Sequence, residues 1–114
     1  MDRGWIDKQE HSIAAEGGRI IVYHRFTGVM VVERGEAIEN PFMTHWQEID
    51  DSAWIDTETR KPTREDADLF QCVISQDRWG EVNMAGWHRF EHEERLVRWQ
   101  PAPCPPPNPA NYNR

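Results

Sequence analysis

The sequence contains no apolar run long enough to cross a membrane and has few cysteines. A membrane-spanning helix needs roughly 20 predominantly apolar residues, and no such run occurs among the 114 residues. Two cysteines, Cys72 and Cys104, do not make the disulfide framework of a small secreted domain. The first residues, Met-Asp-Arg-Gly-Trp, do not read as a signal peptide. We therefore expect a cytoplasmic protein that does not bind membranes.

Basic residues are also too few for non-specific binding to nucleic acid. The formal net charge is −7 and the isoelectric point is near 5.1, whereas binding to a phosphate backbone needs a basic face. Direct contact with DNA or RNA is thus not expected. An acidic surface can serve only solubility, or it can imitate a polyanion and occupy the basic groove of a nucleic-acid-binding protein.

The signatures of common catalytic and metal sites are missing. The chain has no Gly-x-Ser-x-Gly, no phosphate-binding glycine loop and no Cys-x-x-Cys pair. His88 and His92 are four residues apart and, with Cys72 and Cys104, are the candidate zinc ligands. That spacing places two histidines together only on a helix, and the segment reads as a turn. We predict no catalysis, no metal and no cofactor.

What the chain does have is internal similarity. The same landmarks recur in the same order: Trp5-Ile6-Asp7 and Trp54-Ile55-Asp56, a turn glycine at Gly28 and Gly80, and Trp46-Gln47 and Trp99-Gln100. Between the opening tryptophan and the glycine the spacing is 23 and 26 residues, and from the glycine to the closing tryptophan it is 18 and 19. This order predicts a duplication, with repeat 1 at 1–50 and repeat 2 at 51–100.

The sequence pattern predicts three strands in each repeat. They fall at about 19–24, 28–33 and 42–47, then 69–75, 80–85 and 95–99, with loops at 34–42 and 60–68. Because a repeat of about 50 residues is small for a core of its own, we expect one shared, tryptophan-rich core. The predicted fold class is mainly β in a single domain, with a small α+β fold as the alternative.

Residues 101–114 form a tail of different composition. Six of its fourteen residues are proline, which lacks the N–H that sheets and helix interiors need. We predict an extended, polyproline-like arm or a disordered segment.

The second repeat resembles a family found mainly in phages and prophages, domain-of-unknown-function family 551. The resemblance covers most of residues 54–107 and rests on Trp54-Ile55, Pro62, the hairpin from Val73 to Val82, Trp87 and the closing Arg98-Trp99-Gln100-Pro101-Ala102-Pro103. Arg98 stands where the family has histidine, whereas His45-Trp46 keeps the histidine but lacks the prolines that follow. The resemblance implies an accessory gene of a phage or mobile element that acts by binding, inside the host cytoplasm.

Tryptophans and a charged turn supply the candidate partner-binding residues. The paired tryptophans, Trp5, Trp46, Trp54 and Trp99, are expected to build the core. Trp79 is expected at a hairpin tip beside Arg78, where an exposed ring and an arginine can anchor a partner. The other candidates are Trp87 and the acidic residues Glu91, Glu93 and Glu94.

An alternative site would hold a nucleotide-like small molecule. Its candidates are Arg25, Arg89, Arg98, His45 and Tyr23, because arginines and aromatic rings together can hold an anionic base. Ordinary cross-strand pairing of these arginines with aspartate and glutamate is the other reading.

The sequence therefore predicts a non-catalytic accessory protein that counteracts a host defence process by binding and blocking a host protein. Sequestration of a nucleotide-like immune signal and a structural or assembly role are the alternatives. The sequence leaves the partner open, and self-association into a homo-oligomer stays open too.

Overall fold

The computed structural model describes residues 4–106 and is mainly β, as predicted. Its strands are β1 (Ile6–Asp7), β2 (Ile20–His24), β3 (Gly28–Val32), β4 (Met43–Gln47), β5 (Ile55–Asp56), β6 (Cys72–Asp77), β7 (Val82–Gly86) and β8 (Leu96–Gln100). One α-helix, α1 (Arg34–Glu39), and 3-10 helices at Arg64–Asp66 and Trp87–Glu91 complete the described elements. No helix within residues 4–106 has the length and apolar character needed to span a membrane.

The strands form two four-stranded antiparallel sheets, in the orders β1-β4-β2-β3 and β5-β8-β6-β7. The prediction of three strands per repeat was wrong, because a two-residue strand follows each opening tryptophan. Ile6 pairs with Trp46 in the first sheet, and Ile55 pairs with Trp99 in the second. Two residues are too short to produce an alternating pattern in the sequence.

The register of the two sheets is the same. Val22 lies opposite Trp46, and Ser75 lies opposite Trp99. A register shift follows at the matching position in both, between Tyr23 and His24 and between Gln76 and Asp77. This correspondence defines which residues of the two repeats are equivalent.

The chain divides into two compact units, unit 1 (Met1–Ile49 with Cys104–Arg114) and unit 2 (Asp50–Pro103). Each unit contains a cluster of buried apolar side chains, and the shared core expected for the two repeats stays a prediction. Cluster 1 contains Ile13, Ile20, Val22, Val32, Ala37, Met43 and Trp46. Cluster 2 contains Val73, Ala85, Phe90, Leu96 and Trp99.

A repeated hydrogen bond ties each closing tryptophan to the loop after the opening strand. The indole N–H of Trp46 donates to the carbonyl of His11 at 3.0 Å, and that of Trp99 donates to the carbonyl of Arg60 at 2.8 Å. His11 and Arg60 both stand six residues after their opening tryptophan. The structural role expected for Trp46 and Trp99 is therefore seen in both units.

Residues 34–42 are not entirely a loop, because α1 occupies Arg34–Glu39. Gly35 weakens helix propensity, but the helix is held by its buried residues, Arg34 and Ala37. The Arg34 guanidinium donates to the carbonyls of Ala14 and Gly18 and pairs with Glu48. Tertiary contacts therefore override a weak local preference.

The strand predicted to start at residue 69 starts at Cys72 instead. Residues 68–71 form a tight turn, in which the Asp68 carboxylate accepts hydrogen bonds from the backbone N–H of Phe70 and of Cys72, at 2.9 and 3.0 Å. Gln71 has a positive φ of 63°. This turn holds Leu69 and Phe70 in solvent, so their apolar character is not that of a buried strand.

Of the proline-rich tail, residues 101–106 have no regular secondary structure. The rest, 107–114, lies outside the described residues, so the expected arm is described only in its first part.

Candidate functional site

Each unit presents an arginine followed by an exposed aromatic ring at the tip of its central hairpin. Arg25 and Phe26 lie between β2 and β3, and Arg78 and Trp79 lie between β6 and β7. The exposed fraction is 64% for Phe26 and 71% for Trp79. The predicted position of Trp79 is confirmed, and the structure adds an equivalent ring in unit 1.

The arginine covers the ring next to it at both tips. The guanidinium carbon lies 5.0 Å from the ring centre in the Arg25–Phe26 pair and 4.9 Å in the Arg78–Trp79 pair. Both distances are within the range of a cation–π interaction. Each tip thus offers a flat apolar surface and a positive charge together.

A side chain at the base of each hairpin fixes the backbone of the tip. In unit 1, Nδ1 of His24 accepts hydrogen bonds from the N–H of Phe26 and of Thr27, at 3.2 and 3.3 Å. In unit 2, Oδ1 of Asp77 accepts them from Trp79 and Glu81, at 3.0 and 2.9 Å. Because the carboxylate of Asp77 is charged and buried, its bonds are the stronger pair.

The surroundings of the two tips differ. The N–H of Arg25 donates to the carbonyl of Phe42, and the N–H of Arg78 donates to that of Arg95, so these two acceptors are equivalent. Phe42 lies edge-on to Phe26, with ring centres 5.2 Å apart. At the equivalent place Arg95 approaches Asp77 at 3.9 Å. The first tip is therefore an aromatic cluster, and the second is a single tryptophan among charges.

The three acidic candidates have different environments. Glu93 accepts hydrogen bonds from Arg89 at 2.8 Å and from Arg95 at 3.0 Å. The bond from Arg89, together with the charges of both arginines, holds the pKa of Glu93 below its usual value. Glu91 and Glu94 are exposed. Only those two of the three present their charge to solvent in the way expected of a steering surface.

Trp87, the remaining partner-binding candidate, is half-buried and packs against cluster 2. Its ring lies edge-on to His88 at 5.9 Å. Its indole N–H is buried and has no hydrogen-bond partner among the described residues. Trp87 therefore packs partly against cluster 2, and its expected binding role stays a prediction.

The ligand-binding candidates are divided between the units. Tyr23 and His45 pack with Trp5 in unit 1, where Arg25 covers Phe26. In unit 2, Arg89 pairs with Glu93. Arg98 lies 3.7 Å from Asp56, its cross-strand partner. Arg89 and Arg98 therefore follow the ordinary pairing that the sequence left open, and a bound anion would have to compete with those carboxylates.

Sequence reasoning missed the turn that presents Leu69 and Phe70. Their exposed fractions are 87% and 61%. The available signal was Asp68, since an aspartate that precedes a turn often caps the following N–H groups. The apolar run after it was read as the start of a strand.

The described part of the chain contains no group of three or more His, Cys, Asp or Glu side chains placed to hold a metal ion. Comparison with protein families, with characterised proteins and with solved structures found no match to this chain.

Proposed function

We propose that this protein is a non-catalytic binding protein that uses its hairpin tips to block a host protein. The observation that carries the proposal is the arginine–aromatic pair repeated at both tips. Tryptophan and arginine are the residues enriched in binding hot spots. A ring exposed by 64–71% contributes little to its own fold, so a binding role accounts for it better than packing does.

The hydrogen bonds that order the backbone of the tips favour tight binding to a partner. A loop that is already ordered loses less conformational entropy when it binds. The bonds to His24 and Asp77 hold the backbone at positions 26 and 79 before a partner arrives. The tips therefore resemble preorganised anchors, with Trp79 as the larger ring.

The negative charge of the protein favours a basic protein as its partner. A net charge of −7 attracts a basic protein over long range and raises the association rate at low salt. This fits a host protein with a basic, nucleic-acid-binding groove. We place this encounter in the cytoplasm of the host cell.

Sequestration of a nucleotide-like signal receives less support. It needs arginines that converge on one anion, whereas Arg89 and Arg98 face carboxylates within unit 2.

The test is affinity capture from host lysate with the full chain and with Trp79→Ala, followed by an activity assay of the purified partner. We expect a host protein that the full chain retains and inhibits, and that Trp79→Ala loses by at least tenfold in affinity, about 1.4 kcal/mol or more. Raising the salt concentration should slow association.

Leu69→Ala is the matched control, because Leu69 is also exposed and apolar but lies outside the tips. Equal loss in both variants would point to general surface stickiness. A partner that binds Trp79→Ala as tightly as the full chain would rule out this tip as the anchor.

A further inference from the structure

The proline-rich segment after β8 is seated on unit 1. The indole N–H of Trp5 donates to the carbonyl of Cys104 at 2.7 Å, across 99 positions of sequence. The side chain of Pro106 is fully buried. The segment is therefore bound through a carbonyl and a proline ring, and it has no strand pairing there.

Its sequence dictates an extended shape. Proline fixes φ near −65°, and a residue before proline is pushed to extended backbone. In Pro101-Ala102-Pro103-Cys104-Pro105-Pro106 every position is a proline or precedes one. Such a run favours a polyproline II helix, whose carbonyls point outward and are available to donors.

The receiving surface is aromatic. Trp5, Tyr23 and His45 form a mutually edge-on trio, with ring centres 6.4 to 6.5 Å apart. Aromatic side chains that line a groove and donate to an outward carbonyl are the usual means of recognising proline-rich peptides. In unit 1, Trp5 supplies the donor to Cys104, and Trp5 and His45 line the same cleft as Pro106.

A cleft of about 370 Å³ continues from this contact and is lined by Trp5, Ile6, Asp7, Glu10, His11, His45 and Pro106. Two of its lining residues, Asp7 and Glu10, carry carboxylates. The wall of the cleft is thus suited to a ligand that carries a basic residue next to its prolines.

Unit 2 lacks the trio although it has the same sheet. The residues equivalent to Tyr23 and His45 are Gln76 and Arg98, which pair with each other in the register of β6 and β8. The aromatic face is therefore not a requirement of the repeated fold, because one copy forms the sheet without it.

We infer that the face of unit 1 formed by Trp5, Tyr23 and His45 is a recognition site for a proline-rich segment of a partner protein. The chain's own residues 104–106 occupy this site and compete with that partner. This inference is independent of the hairpin tips, which lie on other residues.

Competition within one chain sets the expected affinities. A tethered segment acts at an effective concentration in the millimolar range, so it masks a site of modest affinity. Deleting 104–114 should raise the affinity for an added peptide by about tenfold or more. The probe is a synthetic peptide with the sequence of residues 100–107, with serine in place of Cys104, and its affinity is measured by calorimetry.

A second measurement uses the full chain. In a Cys72→Ser background, a trifluoromethyl label on the exposed Cys104 side chain reports by fluorine NMR whether the segment is seated. We expect Trp5→Phe, which removes the donor to Cys104, to shift the signal toward that of a free peptide. Trp54→Phe, at the equivalent position of unit 2, should leave it unchanged.

Three outcomes would overturn the inference. One is a folded deletion variant that binds the peptide no better than the full chain, or that binds equally well a control peptide with alanine for every proline. Another is a fluorine signal from the Cys104 label that changes neither with Trp5→Phe nor with millimolar peptide. This result decides the matter if the deletion variant does not fold. The third is a dimer that disappears on deletion, which would assign the site to the tail of a second copy.

Discussion

The two units share their framework and differ in what they present. Each has the four-stranded order, the same register shift and the same indole bond to the sixth residue after the opening tryptophan. Beyond that, unit 1 has aromatic residues where unit 2 has charged or polar ones. Phe42 corresponds to Arg95, His24 to Asp77, Tyr23 to Gln76 and His45 to Arg98.

The difference separates structure from function in one chain. Features present in both copies, such as the indole bonds of Trp46 and Trp99, include those that the fold needs. The exposed tip rings are an exception, because both copies have them although neither core uses them. This shared exposure of the two rings supports the proposal of a binding role.

The largest expected effect concerns the framework. Trp99→Ala and Trp46→Ala should each lower the free energy of unfolding by about 3–5 kcal/mol, measured by urea denaturation. Trp99 should be the more sensitive, because it is fully buried and Arg60 lies 4.7 Å above its ring, whereas Trp46 is 7% exposed. A cost below about 1 kcal/mol for either variant would contradict the shared structural role.

The bases of the tips should differ in a measurable way. Asp77→Ala removes a buried carboxylate that accepts two backbone bonds, and should cost about 2–3 kcal/mol. His24→Ala removes longer, exposed bonds and should cost about 1 kcal/mol or less. Urea denaturation measures both variants. A larger loss of unfolding free energy for His24→Ala than for Asp77→Ala would show that His24 stabilises its tip more strongly.

Acid should weaken unit 2 through Glu93. The hydrogen bond from Arg89 lowers the pKa of Glu93 in the folded state, from an ordinary value of 4.5. Its stabilising contribution is therefore complete above pH 4.5 and is lost as the pH falls through the lower, folded pKa. Glu93→Gln should flatten the dependence of stability on pH below about 5. Thermal unfolding at a series of pH values measures this dependence. An unchanged slope would mean that the pair contributes nothing.

The smallest expected effect is a difference in alkylation rate between the two cysteines. Burial, with the charge of Asp68, raises the pKa of the Cys72 thiol above its ordinary value, although Arg89 acts in the opposite direction. Because the thiolate is the reactive form, alkylation at pH 8 should be about tenfold slower at Cys72 than at the exposed Cys104. Mass spectrometry after timed labelling checks this, and equal rates would show that Cys72 is accessible and ionised.

The sequence predicted features that local patterns determine and missed short strands and features that depend on distant contacts. The hairpins, the roles of Trp46 and Trp99 and the Trp79 tip follow from spacing and β-branched runs, because local patterns determine them. The sequence did not predict the helix that begins at Arg34, because the stability of this helix comes from a distant partner, Glu48.

The candidate site was predicted only in part, for a similar reason. Trp79 beside a turn glycine is a local signal, whereas the pairing of Arg89 with Glu93 depends on how a turn closes. The seating of Cys104 on Trp5 joins residues 99 positions apart, and no local pattern contains that information.

The bond between Trp5 and Cys104 also has a consequence during synthesis. Residues 4–47 of unit 1 emerge from the ribosome first, but the carbonyl that Trp5 binds is made only after all of Asp50–Pro103. At about 5–20 residues per second, translation of that stretch takes roughly 3 to 11 seconds. Throughout this interval a nascent chain presents an open aromatic face, so newly made molecules could capture a proline-rich partner before their own tail closes the site.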